Sequence, residues 1–335
     1  MTDKKEMNMD NNKIRPVVCV SRCLGFDHCR WNGDTINDSF VNLLKDYVDF
    51  ITVCPETDIG LGIPRNPVRL TRGGSEGEVR MIQPATEEDC TIRMREFSHR
   101  ELDKIDRIDG FLLKNASPSC GINNIKLYAS AEKGSMIGKT SGMFAAVAQE
   151  KYPHAAFEDE GRLHNFVLRE NWLINIFTIA RFRELNKASK ISVLYDFHAR
   201  HKYLFMSNSH NKMQAMGHIL ANHDKMNLTE IFQEYEKGLM ELLALHTSIP
   251  RRINVLMHMF GYFSKELNPE ERQYFLNILE EYRRGSMPFI VPIELIRNWA
   301  LRFNTEYILN QIILEPYPKE LLLLSDSGSG RNIKR

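Results

Sequence analysis

Three cysteines of this chain stand where a thiol suits chemistry better than packing. Val17-Val18-Cys19-Val20-Ser21 runs into Cys23, and Phe50-Ile51-Thr52-Val53 runs into Cys54-Pro55-Glu56. Gly110-Phe111-Leu112-Leu113 runs into Lys114-Asn115-Ala116-Ser117-Pro118-Ser119-Cys120-Gly121. Each apolar run reads as a buried strand bounded by turn signals, so each thiol sits just beyond a strand's C-terminal end, where open α/β sheets bind ligands. Pro118 stiffens the third turn and Gly121 permits a close approach. Buried free cysteine is common in cores, and the two Cys-x2-4-Cys knuckles that announce structural zinc are absent. Three thiolates with no obvious fourth ligand would leave one corner of an iron–sulfur cluster open, which is the position that catalysis needs. Cys19 within its strand and Cys90 in a predicted helix read as packing residues. Cys29 stays open, being close to Cys23 in sequence.

Other side chains group around these thiols. Glu56, two residues after Cys54, is the best-placed carboxylate for general acid–base work; the competing reading is a solvated loop residue. Ser117 and Ser119 offer hydroxyls to a substrate or to a cluster sulfur, or simply satisfy their turn. Arg30 lies in a polar turn in which Asp34 reads as a helix N-cap. The stiff Pro64-Arg65-Asn66-Pro67 loop presents Arg65 to an anionic or carbonyl group. Further along, Phe197-His198-Ala199-Arg200-His201-Lys202-Tyr203 and Arg251-Arg252 combine basic and aromatic side chains, which suits looped or single-stranded RNA. Interleaved acids such as Glu280 and Glu281 fit ordinary solvated helix faces equally well.

The elements that must position these groups follow from periodicity. From Ile14 to about Pro153 short apolar runs alternate with helical spacing at Ile36 to Tyr47, Met94 to Ile105 and Met143 to Ala148, which predicts an α/β layered domain with a mainly parallel sheet. From Glu158-Asp159-Glu160-Gly161 onward helical patterns follow one another over roughly 165–186, 190–207, 211–222, 228–246, 250–265, 269–284 and 292–312. An all-α C-terminal domain is expected. Asn268-Pro269 reads as an N-cap with proline in the first turn, and Gly285 as a stop. Residues 1–13 and the Ser325-to-Gly330 tail read as disordered.

At 335 residues there is chain enough for two cores, and 43% apolar with 26% charged residues is ordinary for a globular protein. No apolar stretch approaches membrane-spanning length, and residues 1–13 lack a signal-peptide core, so a cytoplasmic location is expected. Residues 1–150 carry 20 basic against 22 acidic side chains, and 151–335 carry 24 against 21. Neither balance demands a nucleic-acid partner, which would have to rest on a local patch.

Ser21-Arg22-Cys23-Leu24-Gly25 with Cys29-Arg30-Trp31-Asn32-Gly33, then Cys54-Pro55-Glu56 with Gly60-Leu61-Gly62-Ile63-Pro64-Arg65, then Ser117-Pro118-Ser119-Cys120-Gly121, resemble in that order the thiouracil desulfidase (TudS, DUF523) family over residues 14–158. The later half resembles the DUF1722 (YbgA-like) domain over about 189–323, through Phe197-His198-Ala199-Arg200-His201-Lys202, Asn254-Val255-Leu256-Met257-His258, Tyr282-Arg283-Arg284-Gly285, Gln311 and Pro316-Tyr317-Pro318. Residues 159–188 would connect the two, and 324–335 would form the tail. Chains joining both resemble bacterial desulfidases acting on 4-thiouridine in tRNA. The resemblance implies a [4Fe-4S] cluster on Cys23, Cys54 and Cys120 whose fourth iron binds a thiocarbonyl sulfur. Glu56 and Ser117 fall on motif positions assigned to water activation and proton handling, and substrate contacts are expected from Ser119, Arg65 and Arg30. His198, His201, Lys202, Arg251 and Arg252 are the expected RNA contacts. A desulfidase of free thiopyrimidine bases, or a metal-containing RNA-binding protein without turnover, are the competing readings. The chain departs from the family pattern at Trp31, where relatives often carry tyrosine, and at Leu321 to Leu324.

Overall fold

The computed structural model describes residues 14–73, 77–131, 134–185, 190–221 and 225–324. The 1–13 stretch and the tail after 324, both expected to be disordered, lie outside the described residues.

Among the described residues the strands are β1 (Val17–Ser21), β2 (Asp49–Val53), β3 (Arg69–Gly73), β4 (Glu78–Gln83), β5 (Glu88–Asp89), β6 (Gly110–Leu113), β7 (Ile125–Tyr128), β8 (Met136–Thr140) and β9 (Ala156–Asp159). The helices among them are α1 (Ser39–Leu44), α2 (Pro55–Asp58), α3 (Thr91–Asp103) and α4 (Met143–Lys151). A wholly parallel sheet runs in the order β2-β1-β6-β9. Its inner strands are almost wholly apolar, as strands covered on both faces tend to be; Phe111, Leu112 and Leu113 are fully buried. Gly110 is required by packing, because a Cβ there would meet Ile176 Cγ2 at 2.7 Å and the Ala156 carbonyl at 2.9 Å.

The sequence did not anticipate a second sheet, β5-β4-β3-β7-β8, in which only β3 and β7 run parallel. Its strands are half exposed and charged, so their alternation is weak. The helix expected over Ile36 to Tyr47 is shorter. Its N-cap is Asp38 rather than Asp34, and the Asp38 carboxylate accepts the Val41 N–H at 2.9 Å.

The chain continues as α5 (Phe166–Leu185), α6 (Ile191–Asn208), α7 (His210–Ala221), α8 (Leu228–Leu243), α9 (Ile249–Phe260), α10 (Pro269–Arg284), α11 (Ile290–Arg302) and α12 (Glu306–Leu309). Asn268 caps α10 in a reciprocal capping box with Glu271, and Gly285 ends that helix in the left-handed conformation at φ 75°. The helix expected over 292–312 breaks at Asn304, another left-handed residue, into α11 and α12. The chain forms two compact units. One runs to Ala180 and takes up the chain again from Pro318; the other runs from Arg181 to Tyr317. No helix among the described residues is long and apolar enough to cross a membrane.

Candidate active site

Three neighbouring strands of the parallel sheet, β2, β1 and β6, end beside one another, and their following turns carry Cys54, Cys23 and Cys120. All three thiols are buried and line one cavity of about 220 Å³. Cys29 lines it too, packing directly against Cys23 and Cys54. The loop bearing Cys29 is fixed by its carbonyl, which accepts from Arg65 Nη1 at 3.0 Å and from the Cys54 thiol at 3.7 Å. Cys23 is held through its carbonyl, the acceptor for the Ile36 N–H at 2.8 Å. Arg22 ties β1 to α2 through a two-pronged ion pair with Asp58, each contact 2.9 Å.

The Cys120 turn is built from its own hydroxyls and from the start of α4. Ser117 Oγ accepts the N–H groups of Cys120 at 3.1 Å and Ser119 at 3.3 Å. The first N–H groups of α4, which have no partner within their helix, donate to the carbonyls of Pro118 and Ser119. Gly142 makes this approach possible, since a Cβ there would lie 2.5 Å from the Ser119 carbonyl.

Glu56 is buried and fully engaged. Oε2 accepts from Arg65 Nε at 2.8 Å, and Oε1 accepts from Ser119 Oγ at 2.7 Å. The hydroxyls of Ser117 and Ser119 lie 3.0 Å apart, so Ser117, Ser119 and Glu56 form a continuous hydrogen-bonded path. Ser119, expected as a substrate contact, is the serine bonded to Glu56, and Ser117 stands one step behind it. Arg65, expected to hold substrate, lines the cavity, with its Nε bonded to Glu56 and its Nη1 to the Cys29 and Gly62 carbonyls. Its side chain is only 4% exposed, so the buried Glu56 carboxylate takes up its charge. Arg30 does line the cavity, half-buried.

Burial pushes the Cys120 thiol up to about 12. Contact with Cys23, and then burial, pushes Cys29 up to about 11, and contact with Cys29 raises Cys54 further. A coordinating metal reverses this preference, because it deprotonates its thiol ligands outright. No three His, Cys, Asp or Glu side chains among the described residues converge as a single metal ion would require. An iron–sulfur cluster asks for something different: soft thiolates around a space, each on its own iron. The four-thiol cavity fits that demand, with room for an eight-atom inorganic core.

A model of the 2-thiouracil desulfurase family matches residues 18–160, and one of DUF1722, a protein family of unknown function, matches residues 202–318. The uncharacterized protein YbbK of Bacillus subtilis (strain 168) is 30% identical over 149 residues, which are 43% of this chain and 97% of that relative. The chain belongs to the 2-thiouracil desulfurase family. It joins the desulfurase domain to a DUF1722 domain. The uncharacterized protein YbgA of Escherichia coli (strain K12) is 29% identical over 157 residues, covering 46% of this chain and 92% of YbgA. Among solved structures, the [4Fe-4S]-dependent thiouracil desulfidase TudS is 25% identical, covering 44% of this chain and 93% of its own, with a TM-score of 0.33.

The desulfurase domain also uses residues that sequence reasoning passed over. Ser21 Oγ accepts the Lys114 N–H at 2.8 Å and contacts the Cys120 thiol. Glu160 pairs with the Lys114 ammonium and accepts the Asn115 N–H at 2.9 Å, which holds both residues at the cavity wall. The signal lay in the Lys114-Asn115 pair that opens the serine-rich turn, and in the carboxylates of Glu158-Asp159-Glu160.

In the helical unit from Arg181 to Tyr317 two of the expected RNA contacts are buried. His201 is 2% exposed; its Nδ1 donates to the Phe197 carbonyl at 2.7 Å and its Nε2 accepts from Arg181 Nε at 3.2 Å. Burial holds it neutral. Arg252 is 7% exposed, with its guanidinium 4.4 Å above the Phe289 ring. His198 bonds Tyr235 Oη through Nδ1 at 2.9 Å, and burial followed by the Lys202 charge lowers it to about 4. It therefore offers RNA no cation. Lys202 is half-buried, Arg251 is exposed, and the partly exposed rings of Tyr262 and Tyr307 stack at 5.7 Å.

Proposed function

We propose that this chain is a [4Fe-4S]-dependent desulfidase that converts 4-thiouridine in tRNA to uridine with release of sulfide. The observation that carries it is the convergence of the thiols with the Arg65–Glu56–Ser119 network in one cavity. Cys23, Cys54 and Cys120, each on the turn after a neighbouring strand, would hold the cluster, with Cys29 as a fourth thiol beside them. When bound, the cluster supplies a soft Lewis acid for the thiocarbonyl sulfur, making sulfide a better leaving group. The chain's own groups handle water. Glu56 Oε1 accepts a proton as water adds to the ring carbon, and Arg65 holds the carboxylate in place. The Ser119 hydroxyl, bonded to Glu56 and backed by Ser117, relays that proton to the departing sulfur, and the second proton of the water, lost from the new C–OH as C=O forms and C–S breaks, completes hydrogen sulfide. One water enters and one hydrogen sulfide leaves, so C=S becomes C=O with no redox change.

The DUF1722 domain would supply RNA contacts. A thiolated base in folded tRNA is partly stacked, and extruding it costs a few kcal/mol that flanking contacts must offset. Lys202 and Arg251 would neutralise phosphates, and the Tyr262–Tyr307 stack would offer a face to a base. Replacing Lys202 and Arg251 by glutamine is expected to weaken tRNA binding and to flatten its dependence on salt by about 0.7–0.9 in log–log slope per lost phosphate contact. Cluster absorbance and turnover of a free thiopyrimidine should stay unchanged. Equal losses on both substrates would assign these residues to the fold.

Because the matching family is that of a 2-thiouracil desulfurase, a free thiopyrimidine base is the second reading. Thionucleoside analysis of tRNA before and after incubation with the cluster-loaded protein separates the two. Loss of 4-thiouridine supports the tRNA reading; an unchanged content beside sulfide release from the free base supports the other.

A further inference from the structure

Trp31 is 48% exposed, whereas Trp172 and Trp299 are buried at 2% and 7%. Leaving a large aromatic ring half in water forgoes favourable burial, and the surrounding turn is well tied by its backbone. The Trp31 carbonyl accepts the Arg65 N–H at 2.8 Å. Arg30 donates its N–H to the Asp34 carbonyl at 3.2 Å, and Gly33 donates to the Arg30 carbonyl at 2.9 Å. Gly33 adopts φ 80°, a conformation that other residues enter at a cost. Trp31 borders the same cavity as Cys23, Cys54 and Glu56. Arg65, through its backbone N–H, its Nε and its Nη1, ties the Trp31 turn, the Glu56 carboxylate and the Cys29 loop into one rigid frame. An exposed indole carried on this turn at the rim of a polar, thiol-lined cavity offers a flat π-face to a planar ring whose polar substituent points inward.

We infer that Trp31 is the stacking platform for the substrate's ring, a specificity-determining residue that favours planar heteroaromatic thiocarbonyls over open-chain thioamides. The inference rests on the desulfidase reading. It is tested by steady-state sulfide release from the nucleoside 4-thiouridine, using cluster-loaded wild type, Trp31→Phe and Trp31→Leu matched by visible absorbance. Trp31→Leu is expected to raise KM on the order of 10–100-fold, the usual cost of losing one base–aromatic stack, with kcat little changed. Trp31→Phe, which keeps a π-face, should stay near wild type. Thioacetamide, which has no ring, should inhibit wild type and Trp31→Leu equally. A wild-type KM in Trp31→Leu, or an equal rise in Trp31→Phe and Trp31→Leu, would overturn the assignment. No sulfide release by wild type from 4-thiouridine or tRNA would instead defeat the desulfidase reading, and this inference with it.

Discussion

Cys23→Ala, Cys54→Ala and Cys120→Ala are each expected to lose the iron–sulfur cluster and all sulfide release. The three thiols hang from the ends of adjacent parallel strands and share one cavity, so each supplies a ligand position that no other strand end takes. Cys19 and Cys90 are fully buried in the apolar core, and their alanine variants should keep both cluster and activity at some cost in stability. Cys29 sits on a loop rather than at a strand end, and Cys29→Ala is expected to retain the cluster. Its contact with Cys23 and Cys54 makes this the discriminating variant. Iron and acid-labile sulfide per chain, with the visible spectrum, read out each case. Full occupancy in Cys120→Ala together with loss in Cys29→Ala would move Cys29 into the ligand set in place of Cys120.

Glu56→Gln should separate holding the cluster from using it. Glutamine matches the shape and still meets Ser119, but it accepts no proton at neutral pH and leaves the buried Arg65 without its counter-charge. Removing a general base costs on the order of 10²–10⁴ in rate. The expected result is therefore a normal cluster, substrate still bound, and turnover reduced by that factor. Near-wild-type turnover would mean that another group activates water. Loss of the cluster would mean that the Arg65–Glu56 pair is structural, since Arg65 also fixes the Cys29 loop.

The parallel sheet and the long helices were legible because their residues announce themselves locally: apolar runs closed by turn residues at β1, β2 and β6, and an asparagine–proline start with a glycine stop at α10. The second sheet was not, because β3 and β4 expose charged side chains and are specified by pairing rather than by pattern. Arg65 read as a substrate contact because its loop advertises a cation; that Glu56 takes this cation up is a long-range fact no spacing reveals. His201 and Arg252 were misplaced on the surface because charged and polar types default to solvent. Here the pattern could have corrected the type. Arg252 shares the i, i+3, i+4, i+7 stripe of buried Val255, Leu256 and Met259, and His201 follows Leu194 and Phe197 on the inner face of α6.

The most direct measurement is oxygen-18 incorporation. Cluster-loaded protein, 4-thiouridine-containing tRNA and labelled water are combined without oxidant or reductant, and the product nucleoside is analysed by mass spectrometry beside free sulfide. The hydrolytic account predicts one labelled oxygen in the new uridine for each sulfide released. Unlabelled uridine, or sulfur retained on the protein with no sulfide set free, would contradict it.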